Sequence, residues 1–101
     1  MRELTAGQSR DLAATLRVIA EPTRLQLIGL LAKRPGTMTD LTGCLQLAGH
    51  TVAVSTVRHH LLVLVDAGMA SREPKSTHVI FRLIPETFAA VADLVRAVGG
   101  R

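Results

Sequence analysis

The chain has 101 residues, 48% of them hydrophobic and 20% charged, which suits one globular domain and excludes a disordered tail. Its only aromatic residues are Phe81 and Phe88, and this argues against a single-strand nucleic-acid binder, which needs aromatic platforms for base stacking. Twelve Lys and Arg against eight Asp and Glu give a net charge of +4, an excess that suits a polyanionic partner without demanding one.

Met1 to Arg10 is polar, lacks the apolar core of a secretion signal, and is expected to be a flexible N-terminus over residues 1–9. From Arg10, the apolar residues Leu12, Leu16, Ile19 and Ala20 recur at helical spacing. Pro22 restarts the chain, because proline fits a first helical turn where its missing N–H is not needed. The second helix carries Leu25, Leu27, Ile28, Leu30 and Leu31, apolar on most sides as a central helix should be, and Pro35-Gly36 ends it. A short third helix is predicted from Thr37 to Leu45, with Thr37 or Thr39 as N-cap. It holds Cys44, the only cysteine; an internal disulfide is therefore impossible, and a reducing, cytoplasmic location is expected. No apolar run approaches the roughly 20 residues that span a bilayer.

Ala48-Gly49-His50-Thr51 reads as a turn, followed by a fourth helix from Val54 to Ala67 that stops at Gly68. Ser71 to Leu83 then reads as a hairpin around Pro74-Lys75-Ser76-Thr77, its second arm rich in β-branched and aromatic residues. A last helix begins near Pro85, spaces Phe88, Val91, Val95 and Val98 three and four apart, and ends at Gly99-Gly100. The fold class is mainly α with a small β-hairpin: four helices, the hairpin and a fifth helix. That is the order of parts in a winged helix-turn-helix, here over residues 10–98.

The fourth helix carries the functional signal. At about 100° per residue, Val54, Val57, Leu61 and Leu64 fall on a core side. Ser55, Arg58, His59, Leu62 and Asp66 fall opposite. The N-terminal half of this outer face is small, polar and basic, as entry into a major groove requires. The candidate DNA-contacting residues are Thr51 in the turn, Ser55, Thr56, Arg58 and His59 on the helix, and Arg72 and Lys75 on the hairpin. A wing reaches phosphates or the adjacent minor groove with such residues.

The stretches Ala20-Glu21-Pro22-Thr23-Arg24-Leu25, Ser55-Thr56-Val57-Arg58-His59-His60-Leu61, Leu64-Val65-Asp66-Ala67-Gly68-Met69 and Phe81-Arg82-Leu83 resemble the ArsR/SmtB family of bacterial repressors. The likeness runs from Leu12 to Val98. It implies a homodimer paired through the first and last helices by Leu12, Leu16, Phe88, Val91, Val95 and Val98, with two recognition helices meeting a palindromic DNA operator. The stretch from Asp40 to Ser55 is a few residues longer than the family's usual pattern, which lengthens the turn before the recognition helix.

Many members of the family respond to metals, so a divalent transition metal ion is an open effector, although no cofactor is assigned. The resemblance places one thiolate site at the start of the third helix, but Thr37-Met38-Thr39-Asp40-Leu41 has no cysteine there. Another site uses His and carboxylates on the last helix; Glu86 and Asp93 are present without a His. His59 and His60 point about 100° apart, a poor arrangement for one ion. His60 holds the family's usual recognition-helix histidine position and is expected to pack or hydrogen-bond structurally. His50 or His78 could serve a metal only with a carboxylate distant in sequence.

Two other classes of function compete. Ser55 and His59 lie one helical turn apart, but the chain has no Gly-rich elbow and is too short to enclose a substrate, so no enzyme is expected. A winged-helix module that binds a protein co-regulator, or one half of a regulatory pair with little DNA specificity of its own, stays open.

Overall fold

Three of the helices start where the sequence supplies a side-chain cap. In the computed structural model, which describes residues 3–99, α1 spans Ala6–Ile19, α2 Pro22–Lys33 and α3 Met38–Leu47. Thr5 and Gln8 form a reciprocal capping box at the start of α1. Helix α1 therefore begins at Ala6 and not at Arg10, because these two polar residues satisfy N–H groups that an apolar pattern does not reveal. Glu21 accepts from the Arg24 N–H ahead of Pro22, and Thr37 pairs reciprocally with Asp40.

Helix α4 (Val54–Asp66) follows a six-residue connection, Ala48 to Ala53. It ends in a Schellman arrangement: the Gly68 N–H donates to Val65 and the Met69 N–H to Leu64. Gly68 has a φ of +74°, the left-handed conformation that only glycine takes without penalty. A Cβ there would meet nothing within 4 Å, so Gly68→Ala would pay for backbone strain alone. We expect a loss of about 1–2 kcal/mol, read as a lower thermal midpoint. An unchanged midpoint would mean that the turn relaxes freely.

Strands β1 (Ala70–Lys75) and β2 (His78–Leu83) pair antiparallel from Ala70↔Leu83 to Lys75↔His78. The loop is thus only Ser76-Thr77, and Pro74 and Lys75, expected in the turn, belong to the strand. Ser76 takes φ +59°, as the first central residue of a primed hairpin turn does. In such a ladder the Lys75↔His78 pair is hydrogen-bonded and Pro74↔Val79 is not, so the missing N–H of Pro74 breaks nothing. Gly36 and Phe81 exchange two backbone hydrogen bonds, 3.1 and 2.8 Å, and so tie the α2–α3 connection to the hairpin.

The last segment opens as a 3-10 turn, Pro85–Phe88, before α5 (Ala89–Gly99); Gly100, the other residue expected to end it, lies outside the described residues. One core joins the helices to the hairpin: Leu27 and Leu31 of α2, Leu41 and Leu45 of α3, Val57, Leu61 and Leu64 of α4, with Met69, Ala70 and Phe81. Helix α4 thereby buries one face against α2 and α3 and leaves the other to solvent.

Candidate nucleic-acid interface

Along α4 the buried residues Val57, Leu61 and Leu64 define the inner side. Ser55, Thr56, Arg58 and His59 are all exposed on the remaining surface, and Leu62 is half-buried. Thr51, in the connection before the helix, is exposed as well. Among the described residues neither Arg58 nor His59 engages in an ion pair or side-chain hydrogen bond. Their donors are thus available to an external acceptor.

One expectation fails here. Val54, assigned to the core side with Val57 and Leu61, is 55% exposed. The periodicity places it on the core side of the axis, but in the first turn of the helix it stays exposed while Val52, just before the helix, packs against the core.

The hairpin divides its cations. Arg72 pairs with Phe81 and so projects from the hairpin's core-side face, beyond the core itself, whereas Lys75 pairs with His78 on the other face. Both side chains are exposed. The structure therefore does not bring Arg72 and Lys75 together on one surface. Arg82 shares the Lys75 face and approaches Glu73 at 3.9 Å, an exposed pair of little energetic weight.

His60 hydrogen-bonds structurally, as expected, and the partner that ties α4 to α2, which sequence reasoning missed, is Arg24. Arg24, in the first turn of α2, donates from Nε to the Val18 carbonyl at 2.6 Å and from Nη1 to His60 Nδ1 at 3.1 Å. Glu21 Oε2 accepts the Arg24 backbone N–H at 2.8 Å and lies 3.6 Å from His60 Nδ1. Arg has only donors, so Nδ1 accepts and the ring proton of His60 resides on Nε2. Burial holds the His60 imidazole below its ordinary pKa; the Glu21 carboxylate pulls upward, while the charges of Arg24 and His59 push further down. Burial raises the Glu21 carboxyl, but hydrogen bonds from the Arg24 and Thr23 backbone and the nearby positive charges outweigh it and leave the group below the ordinary range. Thirty-six positions separate Arg24 from His60, and no local pattern could have joined them.

Among the described residues no group of three or more His, Cys, Asp and Glu is placed to hold a metal. The divalent transition metal left open above has no such donor set among the described residues. Cys44 is half-buried on α3, beside an open cleft of about 680 Å³ that Leu30, Lys33, Arg34 and Asp40 also line. No described helix is long and apolar enough to cross a membrane.

The residues expected at a dimer contact are unevenly spent. Leu12 is buried within its own protomer and Phe88 packs against the core. Val91 is half-buried. Leu16, Val95 and Val98 are 38%, 62% and 68% exposed. Helices α1 and α5 pack side by side and flank a groove lined by Leu4, Gln8, Asp11, Leu12, Ala90, Asp93 and Leu94.

Two consecutive helices with the second presenting a polar, basic face, followed at once by a two-stranded hairpin, make a winged helix-turn-helix DNA-binding protein. The sequence agrees: the model of the arsR family of bacterial regulatory proteins matches residues 21–72. The chain belongs to the ArsR family of transcription regulators. Among solved structures it is similar to a possible transcriptional regulator for arsenical resistance, with 30% identity over 82% of this chain and 81% of the other, at a TM-score of 0.68. The fold is shared with the transcriptional repressor BigR from Xylella fastidiosa, at 20% identity over 91% and 89% of the two chains and a TM-score of 0.70. It is shared too with the homodimeric winged helix-turn-helix domain of a possible ArsR-family regulator from Mycobacterium bovis, at 20% identity over 99% and 91% and a TM-score of 0.70. No curated protein matches the chain at a significant level.

Proposed function

We propose that this chain is a cytoplasmic repressor that binds a palindromic operator as a homodimer, each protomer placing the N-terminal half of α4 in a major groove. The observation that carries the reading is the exposed set Ser55, Thr56, Arg58 and His59, its Arg58 and His59 donors unpaired among the described residues, backed by a fully buried Val57, Leu61 and Leu64. Arg58 supplies the bidentate donor that suits a guanine edge; Ser55, Thr56, His59 and Thr51 supply shorter contacts to bases or phosphates. Arg72 and Lys75 lie on opposite faces of the wing, so at most one of them reaches base edges, and the other serves the phosphate backbone. Exposed Leu16, Val95 and Val98 support pairing through α1 and α5. Two-fold pairing sets half-sites about 34 Å, or a multiple of one helical turn, apart.

The test titrates the purified protein into a labelled duplex from upstream of its own gene and into a scrambled duplex, at two salt concentrations. We expect at least tenfold tighter binding to the native duplex, about 1.4 kcal/mol. Arg58→Ala should cost about 1–3 kcal/mol on the native duplex and relax specificity at one position per half-site. Lys75→Ala should weaken both duplexes alike and lower the salt slope by about one. Equal, steeply salt-dependent binding to both duplexes would leave only phosphate attraction, and the protein-partner reading would then take its place.

A further inference from the structure

Val54 is the first residue of the recognition helix, and it is 55% exposed although valine is among the residues most often buried. Helices α1, α2 and α3 each begin with a side-chain cap, whereas Ala53 offers α4 none. The entry to the helix that faces DNA is thus apolar. Val54 lies one helical turn before Arg58 and about 40° from it around the axis, at the border between the core side and the outer face, where the exposed first turn still leaves it open to the groove. In helix-turn-helix complexes the N-terminal residues of the second helix contact base edges.

We propose that Val54 reads the C5-methyl group of a thymine in each half-site. The inference rests on the DNA-binding reading above and deepens it. In the major groove thymine alone among the four bases presents a methyl group, and apolar side chains are what recognise it. Two branched methyls on an exposed valine provide that contact and can make no hydrogen bond with any competing base edge. The rise from Val54 to Arg58 is about 6 Å, and base pairs stack about 3.4 Å apart. The thymine therefore lies within one or two steps of the base pair that Arg58 contacts. Arg58 discriminates through hydrogen bonds and Val54 through van der Waals contact and dehydration of a methyl group, so the two readings are chemically independent.

Deoxyuridine separates them, because it pairs as thymine does and lacks only the methyl. A duplex selected from a random pool by the wild-type protein would be remade with each thymine replaced singly. At one thymine per half-site we expect deoxyuridine to weaken wild-type binding about three- to tenfold, as loss of a buried methyl contact does. Val54→Ser should show no such penalty at that position while it keeps its dependence on the base pair read by Arg58. Wild-type binding that is specific but indifferent to every deoxyuridine overturns this inference alone. So does a Val54→Ser protein that keeps the full deoxyuridine penalty. If the wild-type protein selects no duplex at all, the DNA reading falls and this inference with it.

Discussion

Leu61→Ala should unfold most of the protein under conditions in which Leu62→Ala leaves it folded. Leu61 is fully buried at the centre of the cluster formed by α2, α3, α4 and Phe81, and its neighbour Leu62 is half-buried on the outer side. Truncation of a buried leucine costs its transfer free energy and a term for the cavity left behind, about 2–5 kcal/mol together. A domain of this size holds only about 5–15 kcal/mol in total. Leu62→Ala should cost only about 1 kcal/mol, since its side chain is half-buried on the outer side and leaves no enclosed cavity. Urea titrations at one fixed protein concentration would show the difference as a displaced midpoint with little change in slope. Equal midpoints for the two variants would mean that α4 is rotated relative to the core. The outward face of Ser55, Arg58 and His59 would then be misassigned too, so this stability measurement also bears on the DNA-binding surface.

Leu61 and Leu62 show what periodicity can deliver: the inner and outer sides of α4 follow from a repeat of 3.6, and Gly68 marks its end because only glycine enters the left-handed turn cheaply. The hairpin was legible in the same way, but with Lys75 read in the turn its strand register, and so its face opposite Arg72, came only with the structure. Hydrophobic pattern alone misled at the ends of elements. Val54 has a core-side angle but stays exposed, and Val52 makes the core contact instead. The first turn of α1 has almost no apolar pattern, yet Thr5 and Gln8 cap it, and the spacing of those two residues was there to be read. What no local reading reaches is the approach of Arg24 to His60, because α1, α2 and α4 must first pack before the two side chains meet.

That contact carries the last expected result. Arg24→Met keeps the aliphatic stem but removes donors to Val18 and His60, and we expect it to cost about 2–4 kcal/mol at neutral pH, the loss of two charge-assisted hydrogen bonds at a half-buried site. Its second signature is in the pH dependence. The folded His60 has a pKa below its ordinary 6.5, so between the two values the unfolded chain binds the extra proton. The stability that this group contributes is therefore complete above pH 6.5 and is lost as pH falls below it. Glu21 is also depressed, from 4.5, and its contribution is lost only when pH falls below that value. In the window between, the wild-type protein should lose stability on acidification through His60. In Arg24→Met the opposing positive charge is gone while Glu21 stays 3.6 Å away in the parent geometry, so the imidazolium gains a partner and the acid-side slope should flatten or reverse. His60→Gln should remove the slope by removing the titrating group. Denaturant midpoints measured from pH 7 down to about 5 test both variants. A slope as steep in Arg24→Met as in the wild type would show that burial alone sets the His60 pKa. Arg24 would then hold α4 by geometry and not by its charge.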